Sequence, residues 1–318
     1  MALDEASQAI VAAAAAAGRK PLIESTVEEA RAMSGMSRDL YGPGPDMERI
    51  ENVVVDGVDG SFPVRVLVPP GQVQGLIVYF HGGGWVLGDL DDFETLAKTV
   101  AARAQCAVVM VDYRMAPEHR FPAAANDAYA ALLWAAGRCD QIAGRTVPLI
   151  TLGESAGGNL SAVVAQRARD EHGPHIALQI MIYPVTDWNP QTGSYLDPAN
   201  KLLLTRDGML WFWDHYVPDE SDRHHPHASP LRAADLSGLP PALVLTAEHD
   251  VLADEGAAYA QAMRKAGVEV DFEVMAGQMH GFFTMVNILP GSAAAIERVG
   301  AAIDRRLASL AEPAGERG

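Results

Sequence analysis

Residues 147–164 read VPLITLGESAGGNLSAVV, and this stretch decides the fold. It begins as an apolar run of strand length and ends as a run rich in helix formers. Gly153-Glu154-Ser155-Ala156-Gly157 lies between them. A G-x-S-x-G sequence at a strand-to-helix junction is a sharp, strained turn, and its glycines let strand and helix approach without a Cβ clash. Ser155 then projects at a helix N-terminus, where the backbone dipole and free N–H groups favour developing negative charge. A lone match arises by chance in roughly one chain in ten of this length, given average glycine and serine usage. Its placement between a strand and a helix is what gives it weight.

Outward from this turn, short β-branched runs alternate with longer helical ones. Strands are expected at 50–56, 63–68, 76–80, 107–112, 148–152, 178–183, 242–246 and 268–274, and helices at 93–104, 123–136, 156–170, 254–266 and 293–310. From the third strand onward most runs are continuously apolar, as in strands buried on both faces of a parallel sheet. The first two alternate more and are joined by residues 57–61, which read as an edge hairpin. This order implies an α/β fold with a mostly parallel, eight-stranded sheet flanked by helices, and ligands at the carboxyl ends of the strands. Two segments break the alternation: residues 1–45, read as two helices and a turn-rich stretch, and residues 187–233. The core is therefore split into 46–186 and 234–318. The 187–233 insertion contains WFWDHY (211–216) after Thr205, a candidate helix N-cap. Such apolar bulk on the ligand-bearing rim reads as a helical cap.

The composition agrees with a large globular core. The chain has 318 residues, of which 49% are hydrophobic and 20% charged, which argues against disorder. Its 41 acidic and 24 basic side chains give a net charge of −17, which disfavours nucleic acid and anionic membrane surfaces as partners. Cys106 and Cys139 are too few for a disulfide framework, and Cys106 sits in an apolar run that reads as core. No apolar stretch is long enough to span a membrane. The alanine-rich N-terminus carries Asp4 and Glu5 where a signal peptide would be basic, so a helix and a cytoplasmic location are expected.

A second motif, VYFHGGGW (78–85), also follows a strand and lies upstream of the serine. Consecutive glycines can turn backbone N–H groups toward a ligand oxygen, so Gly83 and Gly84, with Ala156, are the expected oxyanion donors. A phosphate cradle would want a nearby lysine, and none occurs between Lys20 and Lys98. His81 reads as a pin for this loop rather than a base. Serine needs a base, and the base an orienter, in the order nucleophile, acid, histidine. Asp250 follows the seventh strand and His280 the eighth. Asp187, also just past a strand, is the alternative acid, and His249 the alternative base; Asp112 precedes the serine and fails on order. His215, His224, His225 and His227 cluster in the insertion at no zinc-motif spacing, so no metal is expected. Trp85 and Trp211 are candidate pocket walls.

Together HGGGW, VDYRMAPEHRFPAA, GESAGG, AEHDVLADEG and MHGFF, in this order, resemble the hormone-sensitive-lipase-type (bacterial family IV) carboxylesterases of the α/β-hydrolase superfamily. The resemblance covers nearly the whole chain from about Val53. It implies Ser155, Asp250 and His280 as triad, with Gly83, Gly84 and Ala156 as oxyanion donors. It also implies a cap built from the N-terminal helices and the insertion, short- to medium-chain acyl esters as small-molecule substrates, no cofactor, and a homodimer through the sheet edge. Two positions depart from the pattern: Val251 replaces the proline usual after the acid, which is expected to loosen that loop, and Glu154 precedes the serine where Asp or Thr is frequent. An amidase or arylamide deacetylase could use the same triad. A non-catalytic receptor would typically have lost the histidine. The acidic surface sets a further expectation, that neutral esters are preferred over anionic ones.

Overall fold

A computed structural model describes residues 2–18 and 20–311. Met1, Arg19 and residues 312–318, which fall in the outer ranges assigned from sequence, lie outside the described residues. Eight strands form one sheet: β1 Arg49–Gly57, β2 Gly60–Val68, β3 Gly75–Phe80, β4 Cys106–Val111, β5 Leu149–Glu154, β6 Ile176–Ile182, β7 Ala242–His249 and β8 Val270–Met279. The helices are α1 Glu5–Ala16, α2 Val27–Ser34, α3 Leu90–Ala104, α4 Ala123–Gly137, α5 Cys139–Ala143, α6 Ala156–Asp170, α7 Gly193–Leu196, α8 Arg206–Tyr216, α9 Ala253–Lys265 and α10 Pro290–Ala311.

The strand order is β1-β2-β4-β3-β5-β6-β7-β8. β2 runs antiparallel to both of its neighbours, and the remaining pairs are parallel. The chain progresses one way from β3 to β4 and the other way from β5 to β8, so the order reverses between β3 and β5. In open α/β sheets, that reversal is where a crevice forms at the carboxyl edge. The HGGGW loop leaves β3 there, and the serine turn leaves β5.

Side-chain alternation explains why the central strands are apolar throughout. Leu76, Val78 and Phe80 of β3 enter the core on one face, with α4 and α6 residues such as Ala128 and Leu160. Ile77 and Tyr79 enter the core on the other, with Val100 of α3 and Val299 of α10. Both faces are therefore covered, and a single charged residue in β3 would be stranded without solvent.

β7 and β8 run further than expected, to His249 and Met279. Their pairing continues across an irregularity to His249 opposite Met279, although the 275–279 run lacks β-branched residues. The connection between β6 and β7 carries α7 and α8. Its two ends are pinched together: Leu231 N donates to Thr186 O at 2.9 Å, Trp188 N donates to Ser229 Oγ at 3.0 Å, and Arg232 pairs with Asp187.

Candidate active site

The turn at Ser155 is tight for steric reasons. Ser155 has φ 57°, a left-handed value that costs a non-glycine residue energy and persists only when the surroundings enforce it. A Cβ on Gly153 would run into the Gly157 carbonyl, and one on Gly157 into the Phe80 carbonyl. The turn is also held by Ser155 N donating to Ile182 O at 2.9 Å. Ala156, as first residue of α6, has an N–H with no partner inside the helix.

Three strand ends converge on this serine. His280 follows the last residue of β8, and its Nε2 lies 3.0 Å from Ser155 Oγ. Its Nδ1 lies 2.7 Å from Asp250 Oδ2. Asp250, just past β7, is buried, and its Oδ1 accepts from Leu252 N at 3.0 Å. A buried carboxylate needs such partners. The His280 ring packs on Tyr183, with centroids 4.5 Å apart. Ser155, Asp250 and His280 are therefore brought together. The alternatives are not: Asp187 pairs with Arg232, and no hydrogen bond links His249 to Ser155. Val251 is buried, and its carbonyl accepts from Ser194 Oγ at 2.6 Å. The insertion thus ties down the loop that lacks the proline.

Across from Ser155 stands the loop from β3. Gly83 and Gly84 have φ values of 95° and 60°, and among the described residues neither N–H has a hydrogen-bond partner. The loop abuts the serine closely: a Cβ on Gly82 would stand 3.4 Å from that of Ser155. At Gly84 a side chain would strike the Phe212 ring, so α8 lies directly over the glycines. His81 donates from Nδ1 to Gly82 O at 2.8 Å, and its ring stacks between Phe93 at 4.9 Å and Tyr113 at 4.5 Å. Burial lowers its pKa to about 4, so it stays neutral. Trp85 and Trp211 are both buried: Trp85 stacks on Tyr216 at 4.3 Å, and Trp211 packs against His215. The ring against the glycines is that of Phe212, which the sequence marked only as part of an aromatic cluster. A cavity of about 440 Å³, bordered by Arg31, Arg38, Gly88, Asp89 and His119, lies beside the far end of the loop, and none of Ser155, Asp250 and His280 borders it.

Glu154 connects the two motifs. It is fully buried, and its Oε1 accepts from Gly82 N at 2.6 Å. Its Oε2 is buried without a partner of normal geometry among the described residues. Burial raises its pKa to about 8, opposed by the Gly82 N–H and the nearby Tyr79 hydroxyl. The folded state therefore holds a proton that the unfolded carboxyl releases near 4.5. The stability this proton provides is present below that value and is lost as pH rises through about 8. We expect Glu154→Gln, which keeps an acceptor but cannot ionise, to melt progressively higher relative to wild type as pH rises across this window. Parallel melting curves for the two proteins from pH 5 to 8 would contradict this.

Among the described residues, no three His, Cys, Asp or Glu side chains are grouped to hold a metal ion, and no helix is long and apolar enough to cross a membrane.

Comparison with known proteins places this geometry in a family. A family model described as alpha/beta hydrolase fold matches residues 77–284. Carboxylic ester hydrolase LipN of Mycobacterium tuberculosis is 41% identical over 276 residues, covering 84% of this chain and 73% of the relative. An ethyl acetate hydrolase of Pseudomonas putida is 35% identical over 288 residues, covering 88% and 91% respectively. The crystal structure of an α/β-hydrolase enzyme from the metagenome of Lake Arreo superposes with a TM-score of 0.90 at 32% identity, covering 98% of this chain and 99% of that one. The chain belongs to the α/β-hydrolase family, in its hormone-sensitive-lipase-type (family IV) carboxylesterase branch.

Proposed function

We propose that this carboxylesterase hydrolyses short- to medium-chain acyl esters through an acyl-enzyme on Ser155. The observation that carries the reading is the hydrogen-bonded relay Ser155–His280–Asp250, at 3.0 and 2.7 Å, on the carboxyl edge of the sheet. Ser155 Oγ attacks the ester carbonyl carbon while its proton passes to His280 Nε2. Asp250 fixes the ring and stabilises the imidazolium that forms. The carbonyl π pair moves onto oxygen, which the Gly83, Gly84 and Ala156 N–H groups receive. Each such donor is worth about 3–4 kcal/mol of barrier. His280 then returns its proton to the departing alkoxide, which leaves as alcohol. Water, deprotonated by the same ring, attacks the acyl-enzyme carbonyl; the bond to Ser155 Oγ breaks as His280 returns that proton to it, releasing the carboxylic acid and restoring the free serine.

In this reading residues 187–233, pinched at Asp187 and Arg232, and the N-terminal helices form the cap. Phe212 and its neighbours close over the glycines, which favours small acyl groups. The ethyl acetate hydrolase relative supports that preference. A series of 4-nitrophenyl esters tests it: kcat/KM is expected to peak among the short chains and vanish at palmitate. Turnover of palmitate comparable to butyrate would mean that the cap leaves a long acyl channel, and the short-chain assignment would fail.

A further inference from the structure

We propose that Arg31, on α2, is a positioning residue for the loop that carries the oxyanion donors; this rests on the assignment of Gly83 and Gly84 to that role. The loop has little conformational preference of its own. Gly83, Gly84 and Trp85 are left-handed in succession, at φ 95°, 60° and 60°, and two of the three are glycines, which restrict the backbone least. Its shape must be imposed by what its polar groups meet.

Internally, Gly83 O accepts from Val86 N at 3.1 Å and Leu87 N at 2.9 Å, closing a tight turn. Glu154 holds Gly82 N from the nucleophile side. The outward carbonyls are held from elsewhere. Trp85 O accepts from Ala116 N at 2.9 Å. Val86 O accepts from Arg31 Nε at 2.9 Å, its one hydrogen bond among the described residues. The same guanidinium donates through Nη2 to Ala116 O at 3.0 Å, and through both terminal nitrogens to Glu118 at 2.7 and 2.8 Å. One planar fork thus ties the loop to the segment that grips it at Trp85. Only arginine can do this: a lysine ammonium has no fixed fork with which to span two carbonyls and a carboxylate.

The N-terminal segment therefore reaches past substrate entry to the direction of the oxyanion donors. The two roles separate kinetically. A cover acts on access and ground-state binding, hence on KM, whereas donor alignment acts on the transition state, hence on kcat.

The test uses the full-length enzyme, Arg31→Met and Arg31→Lys, with 4-nitrophenyl acetate. For Arg31→Met, kcat is expected to fall about tenfold, less than deleting a donor outright. KM should stay within about twofold, with Arg31→Lys intermediate. A trifluoromethyl ketone adds Ser155 Oγ to its carbonyl carbon, passes the serine proton to His280 and places an oxyanion among the same donors. Its inhibition should weaken by the same factor as kcat/KM. Lys20→Ala, which breaks the exposed Lys20–Glu29 pair on the same segment, should match wild type in both assays. A raised KM at unchanged kcat would overturn the assignment in favour of a cover. A lower melting temperature with unchanged kcat and ketone inhibition would overturn it in favour of simple stabilisation. Should Arg31→Met fail to fold, Arg31→Lys decides alone by the same criteria. Absence of turnover in the wild-type enzyme would strike the ester-hydrolase reading itself, a result distinct from any ratio between variants.

Discussion

Ser155→Ala is expected to lower kcat on 4-nitrophenyl butyrate by about 10⁶-fold while leaving the melting curve superimposable on wild type. Triad members act as a unit, so removing the nucleophile alone costs about as much as removing all three, and only the rate supplied by binding and the oxyanion donors remains. The fold should be indifferent because the turn is enforced by contacts at Gly153 and Gly157 rather than by the hydroxyl. Among the described residues, the one hydrogen bond of Ser155 Oγ is to His280. Stopped-assay kinetics beside thermal melts check both halves of this expectation. Activity near wild type would remove Ser155 from the chemistry.

The second large effect separates the two candidate acids. Asp250→Asn should lower kcat about 10⁴-fold, because an amide beside Nδ1 no longer fixes the tautomer that presents a basic Nε2 to the serine. Asp187→Asn removes the carboxylate partner of Arg232, a partly exposed arginine at the base of the insertion. Such pairs are worth about 0–1 kcal/mol, and kcat should stay close to wild type. Equal losses in the two variants would mean that Asp250 acts only structurally. A deficit confined to Asp187→Asn would reassign the acid.

Which features were legible in the sequence follows from how local their causes are. The serine turn was readable because a strained turn demands small residues at fixed offsets, and α6 begins and ends where its sequence places it, at Ala156–Asp170. Asp250 and His280 stood out because this chemistry needs acid and base just past strand ends, and the folded chain sets Asp250 against His280 and Asp187 against Arg232. The far ends of β7 and β8 were not readable. Residues 275–279 have no strand character of their own, include Gly277 at φ 69°, and are extended because β7 lies beside them.

Partners distant in sequence were invisible for the same reason. Glu154 stood out as a departure from the family pattern, but its hold on Gly82 spans 72 residues. Arg31 carried no signal at all, since its carbonyl partners are any residue's backbone. The aromatic cluster was plain in WFWDHY, but which ring would lie on Gly84 depends on how α8 packs. Phe212 occupies that place, and it is as buried as Trp211 beside it.

The covalent step through Ser155 Oγ is tested most directly by a mechanism-based label. A 4-nitrophenyl alkylphosphonate forms a stable bond to the attacking oxygen, and mass spectrometry of the digested enzyme locates it. The expected result is one phosphonyl group per chain on Ser155, appearing in step with loss of esterase activity and absent in His280→Ala, where no base activates the serine. Label on Ser161, six residues further along α6 and hydrogen-bonded to Thr151 at 2.9 Å, or complete inactivation with Ser155 unmodified, would contradict it.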